Sequence, residues 1–287
     1  MKLKRNAART ANSVLRRFGL ELSRIALLDF EARLVSPKHL SIMFDDLAKP
    51  MEEWIHTQRL FQPRCSVPVR DAIENFYSKY LESPFHVQAG GSRFNNLLWL
   101  YLLSNAIQPS IIIDSGTYTG ASAWALWLGS PQSPLTSFDI DQSRLRFKVP
   151  GVSYIEKDWT TFDLTGCDLS RALCYFDDHV DQIGRLIQAA ERRIPWAVFD
   201  DDFRVTSYLP LSDVQITLPK VEFALDDRLS DKDVISWSYA GRTITWQVDR
   251  SYLDKGRATI HATERLPDTS LITGISQTPY RVVALKH

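Results

Sequence analysis

Apolar positions through the middle of the chain recur in two alternating periods. Short branched or aromatic runs predict strands over 110–114, 135–139 (LTSFD), 152–156 (VSYIE), 172–177 (ALCYFD) and 196–200 (WAVFD). Between them, apolar residues at helical spacing predict helices over 120–128 and 179–193. The first ends at Gly129 with Pro131 beyond. The second places Val180, Ile183, Leu186, Ile187 and Ala190 on one face. Asp178 stands as its N-cap, Arg192 and Arg193 suit its C-terminal dipole, and Pro195 closes it. Strands that alternate with helices argue a parallel α/β sheet.

The flanks differ. Residues 1 to 90 read as helical and irregular, punctuated by Pro37, Pro50, Pro63 and Pro68. Segments 69–81 and 92–105 read as helices, and the second is apolar almost all round, as a buried helix is. In the tail, VISWSY, Ala240-Gly241 and RTITWQV read as a β-hairpin. RATIHAT and YRVVALK look like further strands, suited to closing a parallel sheet antiparallel. Residues 203–233 fit no regular pattern and are long for a connection, which suggests a lid or specificity insert. The organisation expected is a basic amphipathic helix over 1–30, a helical and irregular extension over 31–90, and a ligand-binding domain over 91–287.

Charge alters this picture only at the N-terminus. Lys+Arg and Asp+Glu both number 34 in 287 residues, so no global bias points to nucleic acid. Yet residues 1–24 carry seven basic residues against Glu21, with Val14, Leu15, Phe18, Leu22 and Ile25 at helical spacing. That helix suits a solvated terminus, peripheral contact with an anionic membrane, or an organelle transit peptide. No apolar run approaches a membrane span, and Cys65, Cys167 and Cys174 form neither a disulfide framework nor a zinc motif. A reducing, cytoplasmic setting is expected.

The candidate chemistry lies at the strand ends. Each predicted strand meets an acid there or soon after: Asp114, Asp139, Asp158, Asp177-Asp178 and Asp200-Asp201-Asp202. Ligands of open α/β sheets bind beyond the carboxyl ends of the strands, and five acidic ends on one rim need a cation, ligand hydroxyls or backbone donors to offset their repulsion. IIIDSGTYTGAS, residues 111–122, supplies a strand, an acid, a turn bracketed by Gly116 and Gly120, and a helix start. Asp139 follows Gly120 by 19 residues, near the ~20-residue offset of ribose-binding acids. Neither G-x-G-x-x-G nor a Walker lysine is present, which weighs against nicotinamide and P-loop chemistry.

These motifs resemble the class I S-adenosylmethionine-dependent methyltransferases, of catechol and caffeoyl-CoA O-methyltransferase type. DSGTYTGAS resembles their first motif, FDID the ribose-binding motif and EKDW the adenine-side motif. The resemblance implies a Rossmann-like, mostly parallel seven-stranded sheet with antiparallel C-terminal strands. It implies cofactor contacts at Asp114, Gly116, Thr117, Gly120, Ser122, Asp139, Asp158 and Trp159, with the last two beside the base. In the metal-dependent branch it implies Mg²⁺ or another divalent cation on Asp177, Asp200 and Asp201, although Asp201 stands where an amide is usual. The acid–His pattern Asp177-Asp178-His179 is also similar to cephalosporin-hydroxylase-like proteins.

The implied reaction is methylation of a hydroxyl on a small molecule or sugar. An all-oxygen site suits Mg²⁺, Mn²⁺ or Ca²⁺, and such a cation lowers the pKa of a bound hydroxyl. His179 is placed as general base or, more plainly, as a capping or surface histidine. The acids equally fit a salt-bridged rim without metal. Gly90-Gly91 fits a plain loop or a close approach to ligand. Trp124 and Trp127 are expected to pack the first helix on the sheet. Rival functions are a different reaction on the same fold and metal, or a non-catalytic scaffold tethered to a membrane. The sequence leaves the acceptor and the oligomeric state open.

Overall fold

Residues 35–64, 67–87 and 91–286 are described by the computed structural model. The basic helix expected over 1–30 lies outside the described residues.

The first described helix, α1 (Pro37–Thr57), begins with Pro37 in its first turn, where a missing N–H costs nothing, and Ser36 caps it by accepting from His39 N–H. Pro50 lies inside this helix rather than ending it. Next come α2 (Val69–Glu82) and α3 (Phe94–Ile107), and α3 is buried all round as its sequence predicts. The alternating region follows: β1 (Ile112–Ser115), α4 (Ala121–Gly129), β2 (Leu135–Asp139), β3 (Ser153–Glu156), β4 (Leu173–Phe176), α5 (Gln182–Glu191) and β5 (Trp196–Phe199). A short α6 (Val221–Leu225) leads to a hairpin, β6 (Val234–Tyr239) and β7 (Arg242–Gln247). Ala240 and Gly241 both take the left-handed φ that a two-residue hairpin turn needs. The chain finishes with α7 (Arg250–Ala258), β8 (Ile260–Arg265), α8 (Ser270–Thr273) and β9 (Arg281–Leu285).

Seven strands form one sheet in the order β3-β2-β1-β4-β5-β9-β8. The first five run parallel, while β9 is antiparallel to both β5 and β8. Strand residues alternate between two buried faces, as the two-residue period requires. Ile112, Leu173, Tyr175 and Val282 join α1–α4 in one core, and Ile113, Cys174, Phe176 and Phe199 join Leu186 and Ala189 of α5 in the other. The hairpin stands apart as a two-stranded sheet, with a third core under it made by Ile183, Tyr208, Phe223, Trp237 and Leu253.

Two expectations need correction and one needs widening. Asp178 does not cap α5: the cap is Asp181, which accepts from Ile183 N–H, because left-handed His179 (φ 53°) turns the chain before the helix can start. Trp124 serves more than the sheet-side core it shares with Ile112 and Tyr175: its ring also packs on Phe76, Tyr80 and Phe85 of the N-terminal extension. The segment read as one strand, RATIHAT, is divided, since Arg257 and Ala258 end α7 and the strand starts at Ile260.

Candidate functional site

The sheet order reverses direction between β1 and β4, and there the carboxyl ends of neighbouring strands part to leave a crevice. A cavity of about 610 Å³ occupies that crevice. Gly116 after β1, Asp139 at the end of β2, Asp177-Asp178-His179 after β4 and Asp200-Asp201 after β5 all line it. Gly91, Arg93 and Asn96 close one side, and Ser276 and Thr278 before β9 another.

The β1 turn is shaped for close approach. Gly116 has φ +109°, and a Cβ there would stand 2.5 Å from the carbonyl carbon and oxygen of Asp177. Gly120 has φ +93°, and a Cβ on it would collide with the Phe147 carbonyl. Neither position tolerates a side chain. Beneath the turn Asp114 is wholly buried; Ser137 Oγ donates to its Oδ2 at 2.5 Å, while Oδ1 has no hydrogen-bond partner. Burial raises its pKa to about 7 against the pull of the Ser137 and Ser122 hydroxyls. Thr117 bonds to Ser137 through its hydroxyl at 2.7 Å, so Thr117, Ser137 and Asp114 form one buried chain under the loop. Asp139, at the cavity, accepts the Tyr118 N–H at 3.0 Å and the Asp141 N–H at 3.1 Å.

The other end of the cavity concentrates negative charge. Asp177, His179 and Asp201 each offer a ligand atom within 4.8 Å of the others. His179 Nδ1 lies 3.8 Å from Asp177 Oδ1. Asp200 accepts from Tyr175 Oη at 3.2 Å, from Thr278 Oγ and from the Asp201 N–H, so it is tied into the wall. Burial, then repulsion from Asp200 and Asp201, pushes Asp177 well above the usual carboxylate range. Burial and Asp201 raise Asp200 to about 7. Burial also raises Asp201, opposed by the charges of Lys220 and His179. Lys220 is itself buried and its pKa is lowered by that burial, although four acids surround it. Tyr118, His179 and Asp201 all line the cavity with left-handed backbone at φ between 44° and 54°, a conformation that side chains hold only when their surroundings enforce it.

No protein-family model matches the chain, and no curated protein does. Solved structures resemble it loosely. The O-methyltransferase TomG from Streptomyces achromogenes, in complex with SAM, is 13% identical over 76% of this chain and 90% of its own, with a TM-score of 0.43. The SAH-bound methyltransferase of Podospora anserina is 14% identical over 93% and 100%, with a TM-score of 0.40. The O-methyltransferase of Bacillus cereus, in complex with SAH, is 10% identical over 85% and 100%, with a TM-score of 0.41. Likenesses this distant assign no activity. The arrangement of the sheet speaks for itself: five parallel strands, two antiparallel C-terminal strands, and a glycine turn after β1 at the point of reversal. The fold is a Rossmann-like, mostly parallel seven-stranded sheet with antiparallel C-terminal strands, the architecture that the methyltransferase resemblance of the sequence implies.

On that fold the cavity gathers Gly116, Asp139, Asp177, His179, Asp200 and Asp201; Asp114, Thr117, Gly120 and Ser122 belong to the turn without lining the cavity, and Asp158, Trp159 and Asp202 stand apart from it. Asp158 does not reach the cavity: it accepts from Thr160 and pairs with Arg185 Nη2 at 2.5 Å. Burial pushes its pKa up, but Arg185 and Thr160 hold it down, to about 2. Trp159 is wholly buried against Phe176, with the Arg192 guanidinium 5.1 Å from its ring centre, and does not line the cavity. Asp202, third in the acid run, is turned away from the cavity into ion pairs with Arg281 and Arg265. Asp178 pairs with Arg185 Nε at 2.8 Å and accepts from Ser115 Oγ at 2.6 Å. Ser122 is buried in the first turn of α4. Gly91 reaches the cavity, one of the two outcomes open to it. Arg93, Asn96, Arg144, Gln215 and Thr278 went unread in the sequence, because they come from a helix start, loops and a pre-strand segment that carry no motif.

Proposed function

We propose that this chain is an S-adenosylmethionine-dependent methyltransferase that transfers to a hydroxyl of a small molecule or sugar, with a divalent cation at Asp177, His179 and Asp201. One observation carries the reading: a glycine-floored turn with Asp139 and an acidic cluster share a single cavity, joined where Gly116 meets Asp177.

The residues present fit both groups. The glycines admit a ligand against bare backbone, and Asp139 offers acceptors for a ribose diol. The acid cluster fits a hard cation, since mutual repulsion already disfavours three neighbouring carboxylates and a bound charge relieves it. The cation, when bound, lowers the pKa of an acceptor hydroxyl. Asp200 plays a supporting part in this reading: its bonds to Tyr175 and Thr278 fix the strand end from which Asp201 reaches the cluster. The buried chain from Thr117 through Ser137 to Asp114 holds the turn rigid, so the reacting groups keep their alignment.

Calorimetry with S-adenosylmethionine and its demethylated product tests the cofactor half; binding of neither would sink the reading. Manganese titration of wild type and His179→Ala tests the other half. As a cation ligand, His179 is expected to cost roughly tenfold or more in affinity when removed. Unchanged manganese affinity would assign it instead to proton transfer.

A further inference from the structure

A second cavity, of about 340 Å³, lies beside the first on the far side of Thr278, which lines both. Its wall includes Arg204, Arg265, Asp268, Gln277 and Tyr280. Nearly every polar group in it is already engaged. Gln277 accepts from the Thr269 N–H and hydroxyl and donates to the Pro267 carbonyl. The Tyr280 hydroxyl bonds to Tyr175 and Ser92, and Thr278 Oγ donates to Asp200. Asp268 accepts from the Ser270 N–H.

Asp268, at the exposed rim, keeps one carboxylate oxygen and its charge; among the donors the two arginines are the exception. Arg265 gives one end of its guanidinium to Asp202 and Glu222, but its Nε is buried with no hydrogen-bond partner. Asp202 and Glu222 are also held by Arg281, so two acids face two arginines and that network is neutral. Arg204 lies outside it, exposed, with no ion-pair partner among the described residues. Burial lowers the Arg265 pKa, opposed by the charges of Asp202 and Glu222 and reinforced by Arg281 and Arg204. The hydrogen-bonding capacity left to the two arginines is all donor, and a buried donor without an acceptor is a cost that a suitable ligand removes.

We propose that this cavity binds an anionic group, a carboxylate or a phosphate, through Arg204 and Arg265. Resting on the methyltransferase reading above, the inference narrows the acceptor to an acidic molecule whose hydroxyl lies at the Asp177 cluster and whose anionic group passes Thr278. Planar guanidinium donors suit carboxylate and phosphate oxygens alike, so the two are separated by experiment.

The test uses the full chain and two probes, inorganic phosphate and malonate, titrated calorimetrically at constant ionic strength against sodium chloride. Saturable binding of at least one probe is expected, weakened roughly tenfold by Arg204→Ala. Arg144→Ala, which removes a cation of the first cavity, is expected to leave that binding unchanged. Preference for phosphate or for malonate names the anionic group. Arg204→Lys is expected to recover part of the lost affinity. S-adenosylmethionine affinity should be the same in Arg204→Ala and wild type, which shows the variant folded. Absence of saturable binding for both probes would overturn the proposal, as would equal affinity in Arg204→Ala or loss in Arg144→Ala instead. Anion binding that survives where S-adenosylmethionine fails to bind wild type would sink the methyltransferase reading and leave the anion site standing.

Discussion

Gly116 lies so close to Asp177 that a Cβ on it would stand 2.5 Å from the Asp177 carbonyl carbon and oxygen. The two residues belong to different halves of the cavity, so a side chain at 116 moves both the turn and the acidic strand end. Gly116→Ala is therefore expected to weaken S-adenosylmethionine and manganese binding together and to destabilise the fold by roughly 1–3 kcal/mol. Urea unfolding and the two titrations measure this. A variant with both affinities intact would show that the contact is incidental.

Asp139 and Trp159 stand close to the same sheet edge but are expected to behave oppositely. Asp139 faces the cavity, and Asp139→Ala should weaken S-adenosylmethionine by tenfold or more, about 1.4 kcal/mol, with little effect on unfolding. Trp159 fills the core behind the sheet, and Trp159→Ala should cost about 3–5 kcal/mol of stability while leaving the cofactor affinity of the folded fraction unchanged. The reverse pattern would place Trp159 on the adenine side.

Stability should fall with rising pH across the acid-to-neutral range. Asp114 and Asp200 have folded pKa values near 7, and Asp177 and Asp201 are also raised, so the folded state holds protons that the unfolded chain releases near pH 4. Each such group removes about 1.4 kcal/mol per pH unit between its unfolded and folded pKa, and the loss levels off above the folded value. Asp158 has the opposite sign but acts in another window, since its contribution is present above about pH 4 and lost as pH falls towards 2. Thermal unfolding at pH 5 and pH 8 reads the slope. Manganese should raise the melting temperature more at pH 8, where the cluster is ionised; an equal shift at both pH values would argue against these carboxylates as its ligands.

Arg185 bridges two acids, Asp158 and Asp178, from a largely buried side chain. Arg185→Met should cost about 3–5 kcal/mol, because it leaves buried carboxylate charge without a partner. Double substitution with Asp158→Asn should recover part of that loss in a urea-denaturation cycle.

The alternation of strands and helices was legible because parallel strands buried on both faces read as short continuous apolar runs, as Ile111–Ile113 and Leu173–Phe176 do. The β1 turn was legible because the backbone there demands glycine at 116 and 120. What each acid does was not. Asp158, Asp178 and Asp202 look like their neighbours in sequence, and only Arg185, Arg265 and Arg281, arriving from elsewhere in the chain, take them out of the cavity or neutralise them. Helix α1 was obscured by Pro50, which it carries internally because twenty other residues and the aromatic packing of Phe44 and Trp54 support it. The second cavity could not be read at all, since Arg204 and Arg265 meet only when β8 folds beside the residues that follow β5.

The hairpin has a further consequence for how such a protein can diversify. Trp237 donates from its indole to the Val214 carbonyl, and Ala240 N–H is held by Asp213, which fixes the strand of chain carrying Gln215 to the cavity. None of these residues belongs to the seven-stranded sheet. The hairpin and its tethered segment thus form a separable cassette, through which substitution or grafting can reshape one wall of the chamber while the glycine turn after β1 and the seven-stranded sheet stay as they are.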